Sequence, residues 1–161
     1  MTKLAEDVIF DFLHMEAVKY MYDQCSNEKH SEDDATSKLE HMGYSTGYRL
    51  ADRLSRESLR FNDELDLLKY VCKVVWSAVY RKEVDNLRTN HQGFYVLHDN
   101  AFRFFTSMSR SKQYLEQAPK YLALPCGVVR GALANLGVQC VVTAEVTTLP
   151  ACKFQVQVQR A

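Results

Sequence analysis

PCGVVRGALANLGV, residues 125–138, reads as a complete helix carrying its own start and stop signals. Pro125 suits the first helical position, where a missing N–H costs nothing, and Gly137 suits the left-handed residue just past the end. Leu133 and Val138 would make the apolar contact that accompanies such a cap. Val129, Leu133 and Leu136 repeat at the spacing of one helical face, while Gly127, Gly131 and Ala134 form a neighbouring row with almost no side chain. A glycine inside a helix costs about 1 kcal/mol relative to alanine, so Gly127 and Gly131 need a packing reason, the close approach of another backbone. Arg130 is the helix's only charge. It suits either an anion or partner-carboxylate site, or a structural role capping buried carbonyls or reaching to water, and the structural role is preferred.

Downstream, two alternating runs follow. Val138, Cys140, Val142, Ala144 and Val146 point one way, and Cys152, Phe154, Val156 and Val158 repeat the pattern after a turn at Thr147–Pro150. Upstream, residues 86–105 contain a Gln92-Gly93 turn and an Asp99-Asn100 turn between short aromatic and branched runs, which predicts a small antiparallel meander. Ser109 to Ala118 is expected to be a short helix stopped by Pro119. Before the meander, Asn62 or Asp63 caps a helix in which Leu65, Leu68, Cys72, Val75, Trp76 and Val79 keep the period to about Arg81. A preceding helix places Leu39, Gly43, Gly47, Leu50 and Leu54 in one row. Its glycines lie four apart, and with so many charges nearby this spacing marks close packing in a soluble core or interface rather than a membrane dimer face.

The first helix, Leu4 to Gln24, has two apolar stripes, Ile9/Leu13/Ala17/Tyr20 and Val8/Phe12/Met15/Tyr22. Its own core covers only one side of an outer helix, so the other stripe needs a partner. The polar run from Ser26 to Ser37 reads as a loop with Ser31, Asp33 and Asp34 as possible caps. Together these elements predict an α+β fold, with several helices covering one face of a short antiparallel sheet, in one domain spanning 1–161.

Twenty basic residues balance twenty acidic ones, and no basic stripe interleaved with aromatics occurs, so nucleic acid is not expected as a partner. Glu6 and Asp7 interrupt what would be a signal peptide, and no apolar run approaches a membrane span, so a cytoplasmic location is expected. Five widely spaced cysteines argue against a disulfide framework and read as reduced thiols. The histidines His14, His41, His91 and His98 lack metal-site spacing, and no metal or cofactor is expected. Cys126, near a helix N-terminus, is the best candidate for a reactive thiol, but nothing near it in sequence supplies a base, and a packed thiol is preferred.

GVVRGALANLG (127–137), VTAEVTTLPACKFQVQV (142–158) and MGYSTGYRLADRL (42–54) resemble the small α/β subunits of the transport protein particle (TRAPP) vesicle-tethering complex, the subunit 6 type most closely. The resemblance implies a helical layer over a four-stranded antiparallel sheet and pairing through first helices. It implies a heterodimer with the related acylated subunit, contact with other TRAPP subunits, and a Rab-type GTPase met only indirectly, through a core complex that exchanges nucleotide in endoplasmic reticulum to Golgi and Golgi transport. Membrane association would then be peripheral, at endoplasmic reticulum and cis-Golgi, and only through the complex. Leu59 to Asp66, which corresponds to the acylated stretch of that relative, contains no cysteine, so acylation is not carried over. The expected function is non-catalytic scaffolding, with Val8, Ile9, Phe12, Leu13, Met15, Gly43, Gly47, Leu50 and Leu54 at the partner interface and Gly127, Arg130 and Gly131 structural. A homodimer is expected in isolation. A small-molecule or fatty-acyl binding domain is the alternative, from the apolar helical faces around the last helix.

Overall fold

The computed structural model describes residues 5–28, 31–57, 60–106 and 116–160. In it, helices α1 (Ala5–Asn27), α2 (Glu32–Ser55), α3 (64–80), α4 (Arg103–Thr106) and α5 (Ala123–Asn135) lie over a sheet of β1 (Asn86–Thr89), β2 (Phe94–Asp99), β3 (Cys140–Val146) and β4 (Cys152–Val158). The strand order is β1-β2-β4-β3 and every pairing is antiparallel. This is the α+β arrangement expected, with the helical layer on one face.

α5 sits at the centre of the layer, with residues buried on nearly every side. It begins at Ala123, directly after a 3-10 turn (Ala118–Leu122), so Pro125 stands in the third helical position rather than the first. The C-terminus follows the expected chemistry. Gly137 has φ +93°, its N–H donates to the Ala134 carbonyl at 3.1 Å, and the Val138 N–H donates to the Leu133 carbonyl at 2.8 Å.

The glycine rows of α2 and α5 interlock with each other. A Cβ placed on Gly43 would stand 3.0 Å from the Leu124 carbonyl carbon and the Val128 nitrogen; on Gly47 it would stand 2.8 Å from the Val128 carbonyl carbon. From the other side, a Cβ on Gly127 would meet the Tyr44 nitrogen at 2.7 Å and one on Gly131 the Tyr44 carbonyl carbon at 2.8 Å. Backbone rests on backbone at all four positions. This corrects the expectation that Gly43 and Gly47 face a partner, since their neighbours belong to the same chain. Leu50 and Leu54 are half-buried against the same core.

α3 starts at Asp63, whose carboxylate accepts the Asp66 N–H at 2.8 Å, and it passes through a π-helical stretch (Val71–Val75) before ending at Arg81 in the left-handed region, φ 58°. Leu68, Val71, Val75, Trp76 and Tyr80 bury one face of it. The loop expected over Ser26–Ser37 is much shorter, because α1 runs to Asn27 and α2 starts at Glu32, with Ser31 extended in the N-cap position.

The inner face of the sheet is a register of apolar rows. Leu87 pairs Leu97, Leu97 pairs Phe154 and Phe154 pairs Ala144, with Tyr95, Val156 and Val142 in the next row. The expected third run of the meander is instead helix α4. Phe102, Phe104 and Phe105 are all buried, and a strand would set Phe105 on the face opposite Phe102 and Phe104, whereas a helical turn admits all three. The helix expected over Ser109–Ala118 falls largely outside the described residues. At the β2–α4 corner Asp99, fully buried, accepts the Trp76 indole N–H at 2.9 Å, the Ala101 N–H at 3.1 Å and the Lys82 ammonium.

Gly43→Leu and Gly127→Leu are each expected to destabilise the chain by about 3 kcal/mol or more, because displaced backbone cannot repack as a side chain can. Urea unfolding reads this directly, and parent-like midpoints would contradict the interlock. Asp99→Ala is expected to cost about 2 to 4 kcal/mol, leaving the buried indole N–H without its acceptor and Lys82 with Asp85 as its remaining carboxylate, and the same urea series measures it.

Candidate partner-binding surface

α1 is polar inside and apolar outside. Its inward row, Asp7, Phe10, Asp11, His14, Val18 and Cys25, keeps the helical period, and specific partners hold its two acids. Arg81 Nε contacts the Asp7 carboxylate at 3.0 Å, Arg103 donates to the Asp7 carbonyl at 2.5 Å, and a second Arg103 ion pair reaches Asp11 at 2.9 Å. His14, 3% exposed, has its ring at 4.1 Å from the Phe104 ring centre, edge-on, with Phe10 and Tyr121 on other sides. Burial pushes the imidazole down to about 4, against a smaller upward pull from Asp11. Further along, the Tyr22 and Thr36 hydroxyls lie 2.7 Å apart and tie α1 to α2.

On the outer face, Ile9 is 58% exposed, Phe12 61% and Leu13 64%, with Met15 and Tyr20 also exposed and Val8 half-buried. The sequence reading assigned one of two apolar stripes to the core. Neither turns in as a whole; the row between them does, and its acids and histidine are what the stripe reading passed over. The signal was present in the sequence, since Asp7, Asp11, His14, Val18 and Cys25 fall three, four or seven apart. Of the nine expected interface residues, Ile9, Phe12, Leu13 and Met15 are brought together on the outer surface with Val8 at its edge. The four on α2 are not part of it.

Arg130 takes a structural place. Its Nε lies 3.2 Å from the Glu40 carboxylate as an ion pair, and its guanidinium stacks 4.5 Å over the Tyr44 ring, bracing α5 against α2. All five cysteines are buried. Burial, with a smaller contribution from Glu40, pushes the Cys126 thiol up to about 12, so the helix dipole does not produce a thiolate there. An open cleft of about 300 Å³ lies at the base of α1, lined by Phe10, Val79, Arg103, Leu124 and Val128 among others. The small-residue face of α5, which called for the close approach of another backbone, is filled by the backbone of α2. No described helix is long and apolar enough to cross a membrane.

The family model described as "Transport protein particle (TRAPP) component" matches residues 10–159. The chain is 51% identical over 157 residues to trafficking protein particle complex subunit 6b of Danio rerio, covering 98% of this chain and 99% of that one. It is 49% identical to human subunit 6B over the same shares, and 48% identical to human subunit 6A over 165 residues, covering 98% and 100%. In fold it is similar to the crystal structure of a trafficking protein particle complex subunit 3 from Naegleria fowleri covalently bound to palmitic acid, at a TM-score of 0.73 and 18% identity, covering 95% of this chain and 96% of that one. Sequence and fold agree, and the chain belongs to the TRAPP component family, matching its subunit 6 type.

Proposed function

We propose that this chain is a non-catalytic assembly subunit, a single small-subunit-like domain that builds a TRAPP-type particle by pairing through the outer face of α1. The observation that carries the reading is the inverted polarity of that helix. Ile9, Phe12 and Leu13 stay exposed while Asp7 and Asp11 are turned inward and held by arginines, with His14 buried beside them. A helix that satisfies acids inside and leaves large apolar side chains in water gains most when a second protein covers them.

The pairing partner in this reading is the related acyl-bearing small subunit, and the Naegleria fowleri relative, bound to palmitic acid, is a protein of that kind. The particle would serve as the exchange factor for a Rab-type GTPase in endoplasmic reticulum to Golgi and Golgi transport, with the GTPase met by other subunits. This chain would be cytoplasmic and reach endoplasmic reticulum and cis-Golgi membranes only through the complex. Without its partner it would form a homodimer that exchanges when the partner is added.

Light scattering coupled to size-exclusion chromatography over a dilution series tests the pairing. The parent chain is expected to run above its 18.6 kDa monomer mass and to form a one-to-one complex with the acyl-bearing subunit. Phe12→Asp with Leu13→Asp is expected to keep the circular-dichroism spectrum and melting behaviour while weakening pairing by about a hundredfold or more, the loss of two central anchors. A folded monomer at micromolar concentration that ignores the acyl-bearing subunit would overturn the reading.

A further inference from the structure

His14 lies on α1 directly opposite the outer face that Ile9, Phe12 and Leu13 occupy, and neither of its ring nitrogens has a hydrogen-bond partner. Phe10 stacks on its ring, and Phe104 and Tyr121 meet it edge-on, at centroid distances of 6.4, 4.1 and 6.0 Å. The charges around it are few. α1 itself offers Asp11, whose carboxylate is held by Arg103 of α4 at 2.9 Å. The 3-10 turn presents the Tyr121 ring, and its neighbour Lys120 is directed to the Tyr22 ring, 4.6 Å away, and to Glu32 at 3.7 Å. One turn further along α1, Val18 packs with Leu39 of α2 and Ala123 of α5, which are apolar.

We propose that His14 is an acid-release latch for α1: a proton on its ring frees the helix from the body and so uncouples the subunit seated on its outer face. The second half rests on the pairing reading above. An imidazolium in this cage would have two N–H donors and no acceptor for either, and its one neighbouring carboxylate is already engaged by Arg103. The escape open to it is for α1 to lift until the ring meets water.

The sign follows from linkage. The folded-state value, near 4, lies below the ordinary 6.5, so the neutral ring stabilises the docked helix fully above 6.5 and that contribution is lost as pH falls from 6.5 towards 4. At pH 5 the docked state is weakened about thirtyfold against pH 7.5.

Hydrogen exchange of the α1 amides, corrected for intrinsic rates, tests this in the full chain. Protection is expected to fall about thirtyfold between pH 7.5 and pH 5.0 in the parent and by less than about threefold in His14→Phe, which keeps a ring and removes the proton site. Equal losses in both chains would overturn the latch. Independently of any variant, the His14 imidazole C–H resonance of the parent is expected to hold its neutral position for as long as the α1 amides are protected and to move only as that protection is lost, and a midpoint near 6.5 with α1 still protected would overturn the proposal. With the acyl-bearing subunit added, the parent complex is expected to dissociate between pH 7.5 and 5.0 and the His14→Phe complex to persist. If no complex forms even at pH 7.5, the pairing reading fails while the exchange and resonance measurements still decide the latch.

Discussion

Four glycines set the geometry of the helical layer. Gly43 and Gly47 of α2 receive the α5 backbone at Leu124 and Val128, and Gly127 and Gly131 of α5 receive the α2 backbone at Glu40 and Tyr44, so each backbone stands in the place of the other's missing side chains. Glycine in a helix interior is intrinsically unfavourable by about 1 kcal/mol, and four such positions are sustained only because the two backbones gain contact along the whole crossing. The consequence reaches outward in both directions. With α5 drawn close to α2, its remaining faces meet the sheet through Val129, Leu133 and Ala132, and the Gly137 reversal leads the chain straight into β3. Arg130 adds a brace on the wet side of the crossing, joined to Glu40 and Tyr44 of α2.

Because the α2 face is committed to α5, the chain has less apolar surface to offer α1, and α1 is attached by other means. Its inner row uses two carboxylates, a caged histidine and a few aliphatic positions, with Arg81 and Arg103 brought in from the ends of α3 and α4. These groups are widely separated in sequence, so the seating of α1 depends on the sheet and its corner being in place. The corner depends on Asp99, whose carboxylate gathers Trp76, Lys82 and the Ala101 backbone and so turns β2 into α4, which carries Arg103 and Phe104.

The elements whose signals are local were legible in the sequence. The α5 end cap, the Asp63 cap, the Gln92-Gly93 turn and the inward rows of β3 and β4 all follow from spacing and residue chemistry within a few positions. The contact between the glycine rows was legible as a need for a close neighbour but not as to which one, because a small-residue row looks the same whether it meets its own chain or another. Three readings went astray for one shared reason, that a local pattern was overruled by what the core had room for. Phe102–Phe105 folds as a turn of helix because three aromatics enter the core together, Pro125 is preceded by a 3-10 turn that extends the helix backwards, and α1 buries its polar row because Arg81 and Arg103 happen to stand where that row arrives.

The division of α1 into a polar inside and an apolar outside also bears on how strongly its two attachments depend on each other. Fully covering Ile9, Phe12 or Leu13 is worth roughly 1.5 to 3 kcal/mol each, whereas a part-exposed ion pair such as Arg81 with Asp7 contributes about 1 kcal/mol or less. The outer face therefore holds more potential binding energy than the ionic contacts of the inner face. A protein bound there reaches its full contact only while α1 is docked, so it stabilises the docked helix, and the docked helix in turn presents the anchors in one rigid row. Docking and pairing are then a single coupled equilibrium, with the caged imidazole on one side of the helix and the exposed Phe12 and Leu13 on the other.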